Sequence, residues 1–284
     1  MIITLSRAGG HHMRASWRKA AIAAVSVLAL AGCRHDNSAE AAAASCEPGP
    51  AAIAHRGGTE RAMENTLGAF TAAGDAGVKV WEIDVHFDVR GTPVVLHDDT
   101  VDRVSPASGP IARLDAGDGI PTDDGQRIPT LREVYDLAGR HQAQVLTEFK
   151  TVPTAKQWSA VAAQIDATIG RRAVTLMSFD RAVVLEAARR IPDTQLALVH
   201  ATGDLTPEEI KQYGGAINKH HSSIIYSRAK KWHDAGIRVY AWTVDKETDW
   251  ERLSVLPIDG FVTNRPIEYT RWAAERCKSK DSAN

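Results

Sequence analysis

Short runs rich in β-branched residues alternate with helical patterns from residue 51 onward, and this alternation limits the possible folds more than any other feature. It is typical of parallel strands joined by helical crossovers. Helical patterns are clearest at 131–138, 181–190 and 267–277. The eight predicted strands are 51–55, 80–85, 145–149, 175–179, 196–199, 216–218, 238–243 and 260–263.

The number and spacing of these units predict the fold class. Eight βα units in roughly 225 residues match the size of an α/β protein of the (β/α)8 TIM-barrel type, whose chemistry lies at the C-terminal ends of the strands. We therefore expect one barrel domain at 51–277, followed by a C-terminal tail at 278–284. An open, doubly wound sheet is the alternative fold.

The segment after the second predicted strand departs from this pattern. A further strand is predicted at 92–97, after only a turn at Arg90 and Gly91. This connection is too short for the crossover that a parallel neighbour needs, so the strand must return as a hairpin. We expect 86–128 to form an insertion, a hairpin plus a loop, that lies over the barrel mouth and carries His97.

The N-terminal region predicts export and a lipid anchor. A basic segment precedes an apolar run at 20–31, which ends at Cys33, and the residues before Cys33 resemble a bacterial lipobox. We expect 1–33 to be a lipoprotein signal peptide, with Cys33 lipidated and the protein outside the cytoplasm, anchored to the membrane or secreted. A plain signal peptide, a short anchor helix and a start at Met13 are the alternatives.

Residues 34–50 mix alanine, polar residues and chain breakers without a sustained apolar period, which indicates a flexible tether. Cys46 and Cys277 lie near the two ends of the predicted barrel, and an exported protein can form disulfides. The two cysteines could pair or remain free thiols, because sequence spacing does not fix their geometry.

The charge balance excludes one class of partner. A formal net charge of -1 provides no overall field that would attract nucleic acid. Any bound anion must therefore meet local positive charge. We expect no nucleic-acid partner, contact with a membrane through the lipid anchor alone, and a monomer.

Three carboxylates are predicted to meet at the barrel mouth. Glu82 and Asp84 are two apart on the second strand, so they project from the same face. Glu148 and Lys150 repeat this spacing on the third strand. An all-oxygen set favours Ca²⁺ or Mg²⁺, and outside the cytoplasm we favour Ca²⁺. The alternative for a single Glu and Asp pair is a salt-bridged barrel layer.

Two histidines could complete such a site. His55 and Arg56 follow the first strand, and His97 lies in the insertion. A lone histidine is commonly a structural hydrogen-bonding residue, but two imidazoles beside one phosphate can act as acid and base. Trp242, on the seventh strand, could form a wall of the substrate pocket or part of the core. His220 and His221 are assigned no role.

The ordered motifs of the chain resemble those of the glycerophosphodiester phosphodiesterase family, from residue 51 to about 270. Met63 departs from that pattern, because proline usually stands there, and Thr147 and Phe149 flank Glu148 where aliphatic residues or asparagine are commoner. These departures bear on the shape of the loop and of the barrel layer, and none of them removes a functional group. The motifs that carry the resemblance are 55–57, 64–66, 82–85, 94–98, 148–150, 178–180, 242–244 and 260–264.

The resemblance implies a TIM barrel that hydrolyses glycerophosphodiesters to sn-glycerol 3-phosphate and an alcohol. It implies one divalent cation held by Glu82, Asp84 and Glu148. Its implied acid and base are His55 and His97. Its implied phosphate-binding residues are Arg56 and Lys150, as a guanidinium fork and an ammonium also suggest independently.

The residues leave the route and two other functions open. A histidine could activate water or the vicinal hydroxyl of the substrate, and the second route gives a cyclic phosphate. A lipid phosphodiesterase of the sphingomyelinase D type is the alternative enzyme, although the motif at 148–150 argues against it. A surface lipoprotein that binds phosphodiesters without turnover is the alternative of another class.

Overall fold

The computed structural model describes residues 49–281, except for the side chains of Asp118 and of 279–281. The described strands are β1 (Ala51–Ala54), β2 (Val80–Phe87), β3 (Pro93–Val95), β4 (Gln144–Phe149), β5 (Val174–Ser178), β6 (Gln195–His200), β7 (Ala216–His220), β8 (Arg238–Trp242) and β9 (Gly260–Thr263). The described α-helices are α1 (Leu67–Asp75), α2 (Leu131–His141), α3 (Ala155–Ala167), α4 (Arg181–Arg190), α5 (Pro207–Lys211), α6 (Tyr226–Asp234), α7 (Glu247–Leu253) and α8 (Pro266–Asp281).

Eight of the strands form a closed parallel barrel in the order β1-β2-β4-β5-β6-β7-β8-β9. The ring closes at β1, where Ile53 pairs with Val80 of β2 on one side and with Val262 of β9 on the other. This closure excludes the open doubly wound sheet and confirms the predicted (β/α)8 barrel. Each predicted strand is present, although several ends differ by one or two residues.

The predicted hairpin after the second strand is also confirmed. β3 runs antiparallel to β2, with Val95 paired to Val85. Asp88 shapes the turn, because its Oδ1 accepts hydrogen bonds from the main-chain N–H groups of Arg90 (2.9 Å) and Thr92 (2.7 Å). The segment beyond β3 is held by its own small apolar cluster, which includes Val94, Leu96, Val101, Val104, Ile111 and Ile128.

The barrel interior below the mouth is filled by apolar side chains, so the barrel is a packed core and not a pore. A second apolar layer lies between the strands and the surrounding helices, where Trp81, Trp158, Trp232 and Trp250 are buried. The inner cluster consists of Ile53, Leu146, Met177, Ala197, Val199, Ala216, Tyr240 and Val262. The polar groups described below as the candidate site stand above this apolar filling, at the mouth.

The C-terminal helix α8 continues past Cys277 to Asp281. Cys277 is disulfide-bonded. Cys46, the candidate partner, lies outside the described residues, as do the predicted signal peptide and lipidated Cys33. The pairing therefore stays a hypothesis, and the signal peptide and the lipid anchor stay predictions. None of the helices within 49–281 is long and apolar enough to cross a membrane.

Helix α2, which follows the insertion, begins with a capping box. The Thr130 hydroxyl accepts from the Glu133 main-chain N–H at 3.3 Å, and the Glu133 carboxylate accepts from the Thr130 N–H at 2.9 Å. We expect Thr130→Ala to lower the free energy of unfolding by about 1 kcal/mol, measured by urea denaturation. Ser159→Ala, which removes an exposed mid-helix hydroxyl, should change it by less than about 0.5 kcal/mol. Equal effects would contradict this role of the cap.

Candidate active site

The chain leaves β1 in a left-handed turn that brings His55 and Arg56 to the barrel mouth. Arg56 has a φ of 54°, and Gly57 and Gly58 follow with φ values of 86° and 83°. A Cβ atom on Gly57 would lie 2.9 Å from the Cβ atom of Ala69, so only glycine fits there. Non-glycine residues in this region are uncommon and are enriched at functional sites. The turn explains why an arginine and two glycines follow His55.

The structure brings the three predicted carboxylates together. Glu82, Asp84 and Glu148 are 2%, 1% and 6% exposed. Asp84 and Glu148 are direct neighbours in the register of β2 and β4. Each of the three side chains offers one oxygen, and these oxygens all lie within 4.8 Å of one another. The same-face spacing on each strand has therefore produced one buried cluster.

Two cationic side chains contact this cluster. The Nζ atom of Lys150 lies 2.9 Å from Asp84 Oδ1 and 2.6 Å from Glu148 Oε1. The Nε atom of Arg56 forms an ion pair with Asp84 Oδ2 at 3.2 Å, and Asn65 Nδ2 donates to the same oxygen at 3.0 Å. Glu82 Oε2 accepts from the main-chain N–H of Arg56 at 3.1 Å. Lys150 and Arg56 thus supply two positive charges for three carboxylates.

This imbalance appears in the acidities of the carboxyl groups. Burial, followed by the neighbouring Asp84 and Glu148, raises the pKa of Glu82 well above its usual range. Burial also raises the pKa of Glu148 to about 7, against the opposing effect of Lys150. Burial also acts to raise the pKa of Asp84, but the positive charges of Lys150 and Arg56 act against it, and the pKa of Asp84 is lowered. A further positive charge would relieve the cluster, and its all-oxygen donor set fits a hard divalent cation.

His55 is held in one orientation by an amide. Its Nδ1 lies 2.7 Å from Asn264 Oδ1. The Asn264 Nδ2 group donates to Asp245 Oδ2 at 2.7 Å, and its main-chain N–H donates to Asp245 Oδ1 at 2.8 Å. Since the Asp245 carboxylate only accepts, the amide nitrogen must face it and the amide oxygen must face His55. His55 therefore carries its proton on Nδ1, and Nε2 is left with a free lone pair.

The environment of His55 also disfavours a charged ring. Burial, followed by the nearby positive charge of Arg56, lowers the pKa of His55 to about 4. Near neutral pH the imidazole is therefore uncharged. A neutral ring with a free Nε2 atom can accept a proton from a hydroxyl group or from water.

His97 has a different partner. Its Nδ1 lies 2.6 Å from Asp98 Oδ1, and Asp98 Oδ2 accepts from Arg103 Nε at 2.6 Å. Arg103 Nη2 also donates to Glu64 Oε1 (2.6 Å), which in turn pairs with Arg56 Nη1 (2.9 Å). The hydrogen bond from Arg103 is the main reason why the pKa of Asp98 falls to about 2. A chain of alternating charges thus joins His97 to Arg56 across the mouth.

These groups surround a cavity of ≈ 180 Å³. Trp242 lines this cavity at the mouth and packs, partly buried, on the inner apolar cluster. The Trp242 Nε1–H group donates to the carbonyl oxygen of Asn218 at 3.0 Å, and Phe179 meets its indole edge-on at 5.5 Å. One side of the cavity is formed by His55, Arg56, Glu82, His97, Glu148 and Lys150, and the other by Phe179, Val199, Asn218, Trp242, Thr243 and Val262.

Several polar residues of the site were not assigned a role from the sequence, among them Asn264, Asp245, Arg103 and Asn218. Asn264 ends one of the motifs recognised in the sequence, and Asp245 directly follows another, so their positions carried a signal that was not used. Arg103 and Asn218 stand outside those motifs, and nothing in their local sequence distinguishes them from ordinary surface or strand residues.

Comparison with known proteins identifies the family. The model of the glycerophosphoryl diester phosphodiesterase family matches residues 55–268. A glycerophosphodiester phosphodiesterase of Caldanaerobacter subterraneus subsp. tengcongensis is 30% identical over 229 residues, which is 75% of this chain and 93% of that protein. A Bacillus subtilis protein of the same name is 25% identical over 244 residues, covering 75% of this chain and 83% of the relative.

A solved structure of a phosphodiesterase has the same fold as this chain. A phosphodiesterase of Oleispira antarctica, in complex with the product sn-glycerol-3-phosphate, superposes with a TM-score of 0.73 at 23% identity. The match covers 80% of this chain and 97% of that chain. Together with the ordered motifs and the barrel that carries them, these matches show that the chain belongs to the glycerophosphoryl diester phosphodiesterase family.

Proposed function

We propose that this chain hydrolyses glycerophosphodiesters to sn-glycerol 3-phosphate and an alcohol, with one divalent cation and two histidines. The observation that carries the proposal is that two differently partnered histidines line one cavity with Glu82 and Glu148, members of a buried carboxylate cluster. Membership of the family supports the reaction class. The product bound by the Oleispira antarctica protein supports glycerophosphodiesters as substrates.

Glu82, Asp84 and Glu148 would hold the cation, and we favour Ca²⁺ over Mg²⁺ because the protein is expected outside the cytoplasm. When bound, the cation supplies Lewis-acid neutralisation of negative charge on the phosphate. Arg56 and Lys150 line the same cavity and are suited to donate hydrogen bonds to phosphate oxygens.

The two histidines divide the proton transfers. Nε2 of His55 removes the proton from the attacking hydroxyl group, either water or the vicinal hydroxyl of the substrate, as a new P–O bond forms. His97 delivers a proton to the leaving oxygen as its P–O bond breaks, and the Asp98 carboxylate, 2.6 Å from Nδ1, orients the ring. Attack by the vicinal hydroxyl gives a cyclic phosphate, which water then opens to sn-glycerol 3-phosphate.

Asp245 controls the His55 tautomer although the residue is separated from the ring by Asn264. In Asp245→Asn, the new amide nitrogen would face the Asn264 amide nitrogen, so Asn264 would turn its NH₂ group toward His55. The proton of His55 would then move to Nε2, and the base would be lost. We expect kcat to fall about 100-fold with little change in KM, because loss of the correct tautomer impairs proton transfer and not binding.

A double variant provides the control for this prediction. Asp245→Asn combined with Asn264→Asp restores an acceptor beside His55 and a donor behind it, so most of the lost kcat should return. The ¹⁵N chemical shifts of the His55 ring should show a proton on Nδ1 in the parent and the double variant, and on Nε2 in the single variant. An unchanged tautomer in Asp245→Asn would contradict the argument.

The reaction itself is tested with purified protein and glycerophosphocholine in the presence of Ca²⁺. Release of choline together with sn-glycerol 3-phosphate is expected. Release of choline from sphingomyelin or lysophosphatidylcholine but not from glycerophosphocholine would favour the sphingomyelinase D alternative. Binding of glycerophosphocholine without any hydrolysis would favour a non-catalytic binding protein.

We further propose that the protein works outside the cytoplasm as a monomer, attached to the membrane through lipidated Cys33. The lipobox-like segment before Cys33 supports this location. Labelled palmitate should be incorporated by the parent chain and not by Cys33→Ala when both are expressed in a bacterial host. Equal labelling of the two would contradict the assignment of Cys33.

A further inference from the structure

One polar side chain of the cavity has an unsatisfied amide oxygen. Asn218 is 2% exposed, and its Oδ1 atom has no hydrogen-bond partner within the described part of the chain. Its Nδ2 group lies 3.7 Å from Met177 Sδ, which is a weak acceptor. Buried polar atoms are nearly always paired in folded proteins. The Asn218 amide therefore has unused hydrogen-bonding capacity, and the residue lines the cavity.

The fold places Asn218 across the barrel from the carboxylate cluster. Three strands separate β7 from β2 in either direction around the ring, so the two strands face each other. Asn218 is two residues beyond Ala216 of the inner apolar cluster and is therefore on the inward face of β7. Its neighbours in register are Val199 and Tyr240, which belong to the same inner cluster. The amide thus lies at the top of the apolar filling.

The wall around Asn218 is mainly apolar. Phe179, Val199, Trp242 and Val262 form this side of the cavity, with Asn218 and Thr243 as its polar residues. The Trp242 indole is held against Asn218 by its hydrogen bond to the main-chain carbonyl. Apolar side chains suit the carbon atoms of a small alcohol, whereas the amide suits a hydroxyl group. A cavity of ≈ 180 Å³ favours a short polyol over a large head group.

We propose that Asn218 binds the terminal hydroxyl of the substrate's glycerol moiety, an assignment that rests on the proposed function. Arg56 and Lys150 would hold the phosphate near β2 and β4, and the vicinal hydroxyl lies next to the phosphorylated carbon. The terminal hydroxyl is the farthest glycerol group from phosphorus, so it reaches toward β7. It donates to Oδ1 and accepts from Nδ2 of Asn218. The variable alcohol then extends through the open mouth.

The test compares two substrates, glycerophosphocholine and its analogue without the terminal hydroxyl, 2-hydroxypropyl phosphocholine. The analogue keeps the vicinal hydroxyl, so it can follow either chemical route. The parent protein should prefer glycerophosphocholine in kcat/KM by at least about tenfold, because a site built to bind a hydroxyl discriminates strongly against its absence. In Asn218→Leu and Asn218→Ala, this preference should fall to about one.

The ratio of the two kcat/KM values is independent of the folded fraction, so a partly unfolded variant still reports on the hydroxyl. Val199→Ala is the matched control, because it alters the same wall without removing an amide, and it should keep the parent preference. A parent protein without preference, or Asn218 variants that retain it, would overturn the assignment. Failure of the parent to hydrolyse either substrate would refute the proposed function itself, and this assignment with it.

Discussion

Removal of divalent cations with a chelator should lower the rate of glycerophosphocholine hydrolysis by about 1000-fold, equivalent to about 4 kcal/mol of transition-state stabilisation. The physical reason is the excess of buried negative charge at Glu82, Asp84 and Glu148, which Lys150 and Arg56 do not balance. Added Ca²⁺ should restore the rate, and it should also raise the unfolding temperature, since a ligand of the native state stabilises that state by mass action.

A pair of variants tests whether the cation acts at the carboxylate cluster. Glu82→Gln removes one charge from the cluster, so it should lose most of the activity and most of the Ca²⁺-dependent rise in unfolding temperature. Glu247→Gln removes an exposed charge at the start of α7 and should behave like the parent. Full turnover by cation-free protein, or equal Ca²⁺ stabilisation of the Glu82 and Glu247 variants, would contradict the assignment of the cluster as a cation site.

The barrel could be predicted from the sequence because its signals are local. Each strand is a short, largely apolar run, and helical patterns separate the strands outside the insertion, so the alternation shows directly in the chain. The hairpin was predictable for a similar reason, since the short turn that Asp88 shapes leaves no room for a crossover. Strand ends were less predictable. β1 stops at Ala54 because the left-handed turn at Arg56 begins immediately afterwards.

The carboxylate cluster could also be predicted, because it depends on two rules of sheets. Residues two apart share a face, and neighbouring parallel strands align their ends at one edge. These rules place Glu82, Asp84 and Glu148 together without any knowledge of the loops. They also explain the departures from the family pattern beside Glu148. Thr147 points outward to the Tyr135 hydroxyl at 2.9 Å, and Phe149 packs on Trp158, so neither residue lines the cavity.

The partners of the histidines could not be predicted in the same way. His55 and Asn264 are 209 residues apart in the chain, and their contact exists only because the barrel closes between β1 and β9. Arg103 meets Glu64 through the packing of the insertion, which has no regular pattern. Such contacts depend on loop geometry and ring closure, which local periodicity does not encode. They nevertheless determine which nitrogen of each imidazole is free.

This difference in partners leads to the second prediction with a large effect. His55→Asn and His97→Asn should each lower kcat for glycerophosphocholine by about 1000-fold, because each removes one proton transfer. The rates of the two variants should differ on a substrate whose leaving group is p-nitrophenol. p-Nitrophenolate leaves without protonation, so His97→Asn should recover most of its rate there. His55→Asn should remain impaired, because the attacking hydroxyl still needs a base.

The assignment of His55 as the base and His97 as the acid rests on their hydrogen-bond partners. The partner of His55 is a neutral amide, and the partner of His97 is a carboxylate. Burial and the positive charge of Arg56 oppose protonation of His55, and the Asn264 amide fixes the orientation of its ring. Asp98 places a carboxylate beside His97 and is itself held by Arg103. His233→Asn, on the exposed side of α6, is the matched control and should leave both substrates unaffected. Recovery of His55→Asn instead of His97→Asn on the p-nitrophenyl ester would reverse the two roles.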